Sequence, residues 1–153
     1  MSSINDSMKI RGDLNIKVFG ADGALKEDID HRNLVVAAGL TFIASRMTGV
    51  TKGAMSHMAL GSGTTAAAAG QTDLVSLVGS RVALDSSTPS SNTVTYVATF
   101  GAGVSTGAIT EAGIFNDATG GAGDMLCRTV FPVVNKQAGD TIVITWTITL
   151  SAA

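Results

Sequence analysis

The sequence predicts a mainly β fold, an antiparallel β-sandwich or open barrel with one short α-helix at about residues 34–47, and three observations carry that expectation. The closing stretch DTIVITWTITL alternates with period two, which places Ile142, Ile144, Trp146, Ile148 and Leu150 on one face and Thr141, Val143, Thr145, Thr147 and Thr149 on the other. Short apolar stretches recur along the chain, separated by Gly, Ser, Thr and Asn turn signals. A single segment changes period: Val36, Leu40, Ile43 and Met47 are spaced by four, three and four, as on one stripe of a helix.

The elements follow in order. Leu14, Ile16 and Val18 alternate against Asn15, Lys17 and Phe19 before the turn Ala21-Asp22-Gly23, a hairpin signal. The charged stretch EDIDHRN then reads as a solvated connection. Asn33 is the expected N-cap of the helix, Arg46 suits its last turn and Gly49 its end. GSGTTAAAAGQTD is a long loop of low complexity. A strand, a polar turn around Pro89 and a second strand follow, the latter with Val94, Tyr96, Ala98 and Phe100 on one face and Thr93, Thr95, Val97 and Thr99 on the other. AITEAGIFN, the turn DATGGAGD, MLCRTVFPVV, the turn NKQAGD and the closing strand complete the chain. Residues 1–13 are expected to form an N-terminal arm, and 14–153 a single β-rich domain.

Composition narrows the function. The 153 residues are 45% apolar, enough for one filled core. Charged residues make up only 14%, against roughly 25% in an average soluble protein, so the surface is covered by small neutral side chains. Strand faces that meet water normally carry Lys and Glu, which also deter edge-to-edge pairing. The Thr-rich faces here suit burial against another protein, and Thr95, Thr99, Thr145, Thr147 and Thr149 are the candidate intersubunit contacts. The net charge of −2, with no basic cluster, argues against direct nucleic-acid binding. The longest apolar runs fall short of the roughly 20 residues of a membrane helix, and MSSINDSMKI is no signal peptide, so a soluble protein made in the cytoplasm is expected.

Catalytic signals are absent or out of context. Gly103–Gly107 spells G-x-S-x-G, but a nucleophile elbow opens a helix and precedes its histidine, whereas AITEAGIF alternates like a strand and His31 and His57 both precede Ser105. Gly61–Ala66 matches G-x-G-x-x-A without the surrounding strand-helix-strand pattern, and reads as a loop or a tight backbone contact. His31 lies beside Glu27, Asp28 and Asp30 but no second histidine is near in sequence, and the lone Cys127 can form neither an intrachain disulfide nor a zinc site by itself. No enzyme, cofactor or metal site is expected. Glu111, a lone acid in an apolar strand, and Arg128 on the next strand are a candidate ion pair, cross-strand or intersubunit, that would fix register more than stabilise.

As a set, NLVVAAGLTFIASRM, AMSHMALGSGTTAAAAGQTDL, ATFGAGVSTGAITEAGIFN and GDMLCRTVFPVVNKQAGDTIVITWTITL resemble small β-rich virion structural proteins of tailed bacteriophages, over roughly residues 30–150. The resemblance implies assembly rather than catalysis. Such proteins serve as capsid decoration or cement subunits, and also in tails, baseplates and fibres. The expectation is a decoration protein on the outer surface of the capsid that bridges subunits of the major capsid protein, associates with itself as a homotrimer, and is synthesised in the host cytoplasm. Tail, baseplate or fibre placement is the alternative. A glycan-binding or hydrolytic module is a distant one, since the chain has one Trp and one Tyr and no pattern of paired carboxylates.

Overall fold

The computed structural model describes residues 7–152. It is mainly β, with 53% strand, 6% helix and a strongly curled antiparallel sheet that forms a half-barrel, as the alternation predicts. The strands are β1 (Met8–Phe19), β2 (Leu25–Val35), β3 (His57–Gly61), β4 (Val82–Ala83), β5 (Ser86–Ser90), β6 (Thr93–Phe100), β7 (Gly107–Phe115), β8 (Met125–Lys136) and β9 (Thr141–Ala152), with one helix, α1 (Ala37–Ser45). Across the sheet they run β4-β3-β7-β8-β2-β1-β9-β6-β5.

β9 is central. It pairs with β1 from Met8↔Ala152 to Phe19↔Thr141 and with β6 from Thr93↔Thr149 to Phe100↔Ile142. Its Ile142, Ile144, Trp146 and Ile148 are buried in one core with Leu14, Ile16 and Val18 of β1, Phe100 of β6 and Ile109 and Ile114 of β7. The β1–β2 turn closes through Gly23, whose φ of +81° suits glycine.

The curl has a covalent cause. The outermost strands, β4 and β5, are separated in sequence by Leu84 and Asp85 alone. Leu84 N–H bonds to the carbonyl of Ser56, just before β3, at 2.9 Å, and Asp85 N–H to that of Val97 on β6 at 2.7 Å. Two consecutive residues thus tie opposite ends of one sheet together, and a flat sheet cannot satisfy both. Breaks in register at Ile109/Glu111 and Ile114/Phe115 are bulge-like irregularities that add local twist.

Four local expectations are corrected. The arm expected at residues 1–13 is strand from Met8 onward, because Met8 to Gly12 find partners in Ala152 to Ile148; residues 1–6 lie outside the described residues. EDIDHRN lies within β2, not in a loop, with Asp28, Asp30 and Arg32 opposite Lys17, Asn15 and Asp13. The helix begins at Ala37 and not at 34, since Leu34 and Val35 pair with Arg128 and Cys127. Asn33 is therefore a strand residue, and Val36 precedes the helix without a side-chain cap. Pro89 sits inside β5, opposite Val94, where an edge strand tolerates the missing N–H; the turn is at Ser91, with φ +54°.

The expected stripe is buried only in part. Val36 is buried and Ile43 packs against the core, but Leu40 is 47% and Met47 85% exposed, and Gly39 and Phe42 are buried in their place. Gly39 decides this, because a Cβ there would strike the main chain of Leu126, so only glycine lets α1 approach β8 so closely. Phe42→Ala is expected to cost about 3–5 kcal/mol, and Met47→Ala less than about 0.5 kcal/mol, in urea unfolding. The reverse order would restore the stripe expected from the sequence.

At the β8–β9 turn, Gln137 N–H donates to the Asp140 carboxylate at 2.9 Å and Lys26 Nζ lies 3.0 Å away. The Gln137 hydrogen bond first, then Lys26, hold that carboxyl below its ordinary 3.8. A depressed folded-state value contributes stability that is complete above the unfolded value and is lost as pH falls through the folded one. Asp140→Asn should therefore flatten the fall in unfolding free energy on acidification below about pH 4, measured by denaturant titration.

Candidate functional site: a neutral sheet face and a buried clamp

The five candidate contact threonines all lie on the outer face of the sheet. On β9, Thr145, Thr147 and Thr149 alternate with the buried core residues, and on β6, Thr95 and Thr99 do the same. Register sets them in rows: Thr93 beside Thr149, Thr95 beside Thr147, Val97 beside Thr145 and Thr99 beside Val143. β5 extends the rows with Thr88 beside Thr95 and Ser90 beside Thr93. Thr95 and Thr147 bring their hydroxyls to 3.5 Å, and Thr99 donates to the Asp85 carboxylate at 2.6 Å. Neighbouring side chains leave Thr95, Thr145, Thr147 and Thr149 half-buried and Thr99 exposed.

Charge is sorted along the sheet. The chain has ten Lys and Arg and twelve Asp and Glu, and ten of these charged residues lie between Lys9 and Arg32, on the β1–β2 hairpin. β5, β6 and β9 carry none. On the outer face Arg11 pairs with Asp13 at 2.7 Å, Lys17 with Asp28 at 3.4 Å, and the Asn15 amide donates to Asp28 at 2.7 Å and to Asp30 at 2.9 Å. The Asn15 hydrogen bond is the main cause that lowers the Asp28 carboxyl below its usual value. A shallow depression of about 460 Å³, lined by residues that include Arg11, Asp13, Asn15, Thr145 and Thr147, marks where the neutral rows meet this charged strip. Sequence reading missed the strip, although the crowding of charges before residue 33 was its signal.

The Glu111–Arg128 pair forms within one chain. Arg128 Nη2 lies 2.7 Å from Glu111 Oε2 and both side chains are completely buried. The two sit diagonally across β7 and β8, where Glu111 opposes Val130 and Gly113 opposes Arg128. Their remaining hydrogen-bonding capacity is taken by the long loop after β3. The N–H groups of Gly63, Val75 and Ser76 donate to the Glu111 carboxylate at 3.0, 3.1 and 2.7 Å. Arg128 donates to the Thr65 carbonyl and the Gln71 side chain, both at 2.9 Å. The glycines of GSG are explained by this contact: a Cβ at Gly61 or Gly63 would collide with the carboxylate they cover. The tight-backbone reading of that motif therefore holds, and the loop is a strap held down by one acid.

The other motifs have structural places. Gly103–Gly107 joins β6 to β7, so Ser105 is followed by a strand and not by a helix. Ser105 has φ +52° and a buried hydroxyl that finds no partner among the described residues. His31 lies on β2, not in a solvated turn; its ring meets Phe131 edge-on at 6.5 Å and its Nδ1 lies 3.2 Å from the Thr129 hydroxyl. Cys127 is buried, which pushes its thiol well up. Among the described residues no three His, Cys, Asp or Glu side chains converge to hold a metal ion, and no helix is long and apolar enough to cross a membrane.

The chain matches no protein-family model, no curated protein and no solved structure.

Breaking the clamp on one side leaves a buried uncompensated charge, so Arg128→Met should destabilise the protein by about 3–5 kcal/mol. Glu111→Gln should release the strap, seen as faster proteolysis within residues 62–76 than elsewhere. The double variant Glu111→Met/Arg128→Met should recover part of the lost stability. Equal protease resistance in the Glu111→Gln variant would show that the strap is held by other contacts.

Proposed function

We propose that the protein is a non-enzymatic structural component of a tailed-bacteriophage virion, a capsid decoration or cement subunit that acts through its neutral sheet face. The observation that carries this reading is the surface of β5, β6 and β9, three strands without a charged residue. Three adjacent strands present rows of threonine, serine and valine, with the charges gathered on the neighbouring hairpin. In dilute solution such a surface is a liability, because little opposes its docking onto other protein. Buried against a copy of the same chain or a capsid subunit, its methyl groups pack and its hydroxyls pair without stranding a charge.

The resemblance of the sequence to virion structural proteins supplies the setting. A cement subunit has to add contact area, multiplied over many copies, against the outward pressure of a packaged genome. A small fold with a buried ion-pair clamp and both halves of its sheet tied by adjacent residues suits that load. The charged hairpin would then face water at the edge of the contact.

Two measurements test the reading. Light scattering of the purified chain should give a trimer, and Thr145→Lys/Thr147→Lys should give a folded monomer, because surface substitutions change stability by less than about 0.5 kcal/mol. Quantification in purified particles should give one copy for every one to a few major capsid proteins. A few copies per particle would place the protein in the tail or baseplate, and its absence from particles would end the structural reading.

A further inference from the structure

Strand β2 is paired on one side along nearly its whole length and on the other for only two residues. Its ladder with β1 runs from Phe19↔Leu25 to Gly12↔Asn33. Towards β8, among the described residues, it pairs only at Leu34↔Arg128 and Val35↔Cys127. The two strands then part, and a groove of about 450 Å³ opens at the fork, lined by residues that include His31, Arg32, Thr129 and Val130. At the fork the Thr129 hydroxyl donates to the main-chain carbonyl of Arg32 at 2.9 Å, where the N–H of a neighbouring strand would otherwise stand. That bond shows which main-chain groups face the opening. Because successive residues of a strand direct their N–H and C=O groups to opposite sides, Asp30 and Asp28 turn theirs the same way as Arg32, up to the break in register beside Lys26. Close by, both amide atoms of Asn33 are buried without a partner among the described residues.

We propose that the open side of β2 accepts an extended strand from a different protein, one that carries Lys or Arg on its outer face and an apolar residue against Ile29 on its inner face. A row of unpaired main-chain groups is completed by another main chain, as in other strand-addition interfaces. The side chains of β2 then define the partner. Its outer positions are Asp28, Asp30 and Arg32, two carboxylates to one guanidinium. On its inner side Ile29 packs against the core between Glu27 and His31, and at the rim Leu25 and Val133 are each 52% exposed.

The same residues disfavour self-pairing. A symmetric β2–β2 contact centred on Ile29 would set Asp28 against Asp30, like charges, twice over. Centred on Asp30, it would set that carboxylate against its own copy, although Asp28 would then meet Arg32. The facing edge of β8 carries Pro132, which lacks the N–H a ladder needs. The edge thus resists its own kind in the register centred on Ile29 and is left open to a basic strand. This inference does not depend on the threonine face, and either can fail alone.

The probe is an acetylated peptide of about eight residues alternating Lys and Val, compared with Glu–Val and Lys–Pro counterparts, added to the full chain and read by amide hydrogen exchange. The Lys–Val peptide should slow exchange at Asp28 and Asp30 roughly tenfold while Glu27 and Ile29, which face β1, stay unchanged. Asp28→Lys/Asp30→Lys, folded by circular dichroism, should weaken that binding about tenfold or more. No protection by the Lys–Val peptide would overturn the proposal. Equal protection by the Glu–Val peptide would overturn the charge selection, and equal binding of the Lys–Pro peptide would reduce the contact to bulk electrostatics. Concentration-dependent protection of the same amides without peptide would show self-pairing and overturn the assignment to a different protein.

Discussion

A single carboxylate, Glu111, organises the half of the molecule that alternation alone would not hold together. Burying two full charges costs several kcal/mol apiece, and the cost is offset only where geometry is good and every remaining lone pair and proton is used. Here three main-chain N–H groups and two donors of one guanidinium converge on one carboxylate, the guanidinium through Oε2 alone, and Arg128 Nη1 donates to the same strap. The consequences spread outward. The strap places Leu74 in a small second core with Val36, Ala59, Phe115 and Met125. The carbonyl of Ala69, also on the strap, receives the N–H of Ala37 at the start of α1. Helix, strap and the outer face of β7 and β8 are thus one unit built around one ion pair.

The other half depends on β9. A strand that is paired on both sides over most of its length and buried along one face has no freedom of register, since a slip of one residue would turn Trp146 outward and the threonines inward. This fixed register places the rows of Thr95, Thr99, Thr145, Thr147 and Thr149 on one surface. The same ladder sets the charged strip of β1 and β2 beside them. Sorting of charge by strand is therefore a product of sequence position, and its arrangement as two adjoining surfaces is a product of pairing.

How much of this was legible in the sequence differs by feature. The faces of β1, β6 and β9 were, because alternation over eight to twelve residues reports burial directly. The helix stripe was not: Leu40 and Met47 are correctly spaced, but the close approach at Gly39 rotates the helix so that Phe42 faces in. EDIDHRN looked like a loop because an edge strand with only a short stretch of second-side pairing has no need of apolar alternation. The ion pair was visible as two lone charges in apolar strands, but the strap that completes it was not, since its contacts run through main-chain N–H groups that every sequence possesses.

By itself the sequence determined that this is a mainly β protein with one helix, which residues of β1, β6 and β9 face its core, and that the threonines of β6 and β9 lie on the opposite face. Those properties follow from side-chain period and propensity, which are local. The tertiary structure decided that Glu111 and Arg128 lie within one chain and under a strap, that β4 and β5 curl the sheet, and that β2 is left open on one side. Each of these joins residues far apart in the chain through main-chain geometry, and no local pattern of side chains encodes it.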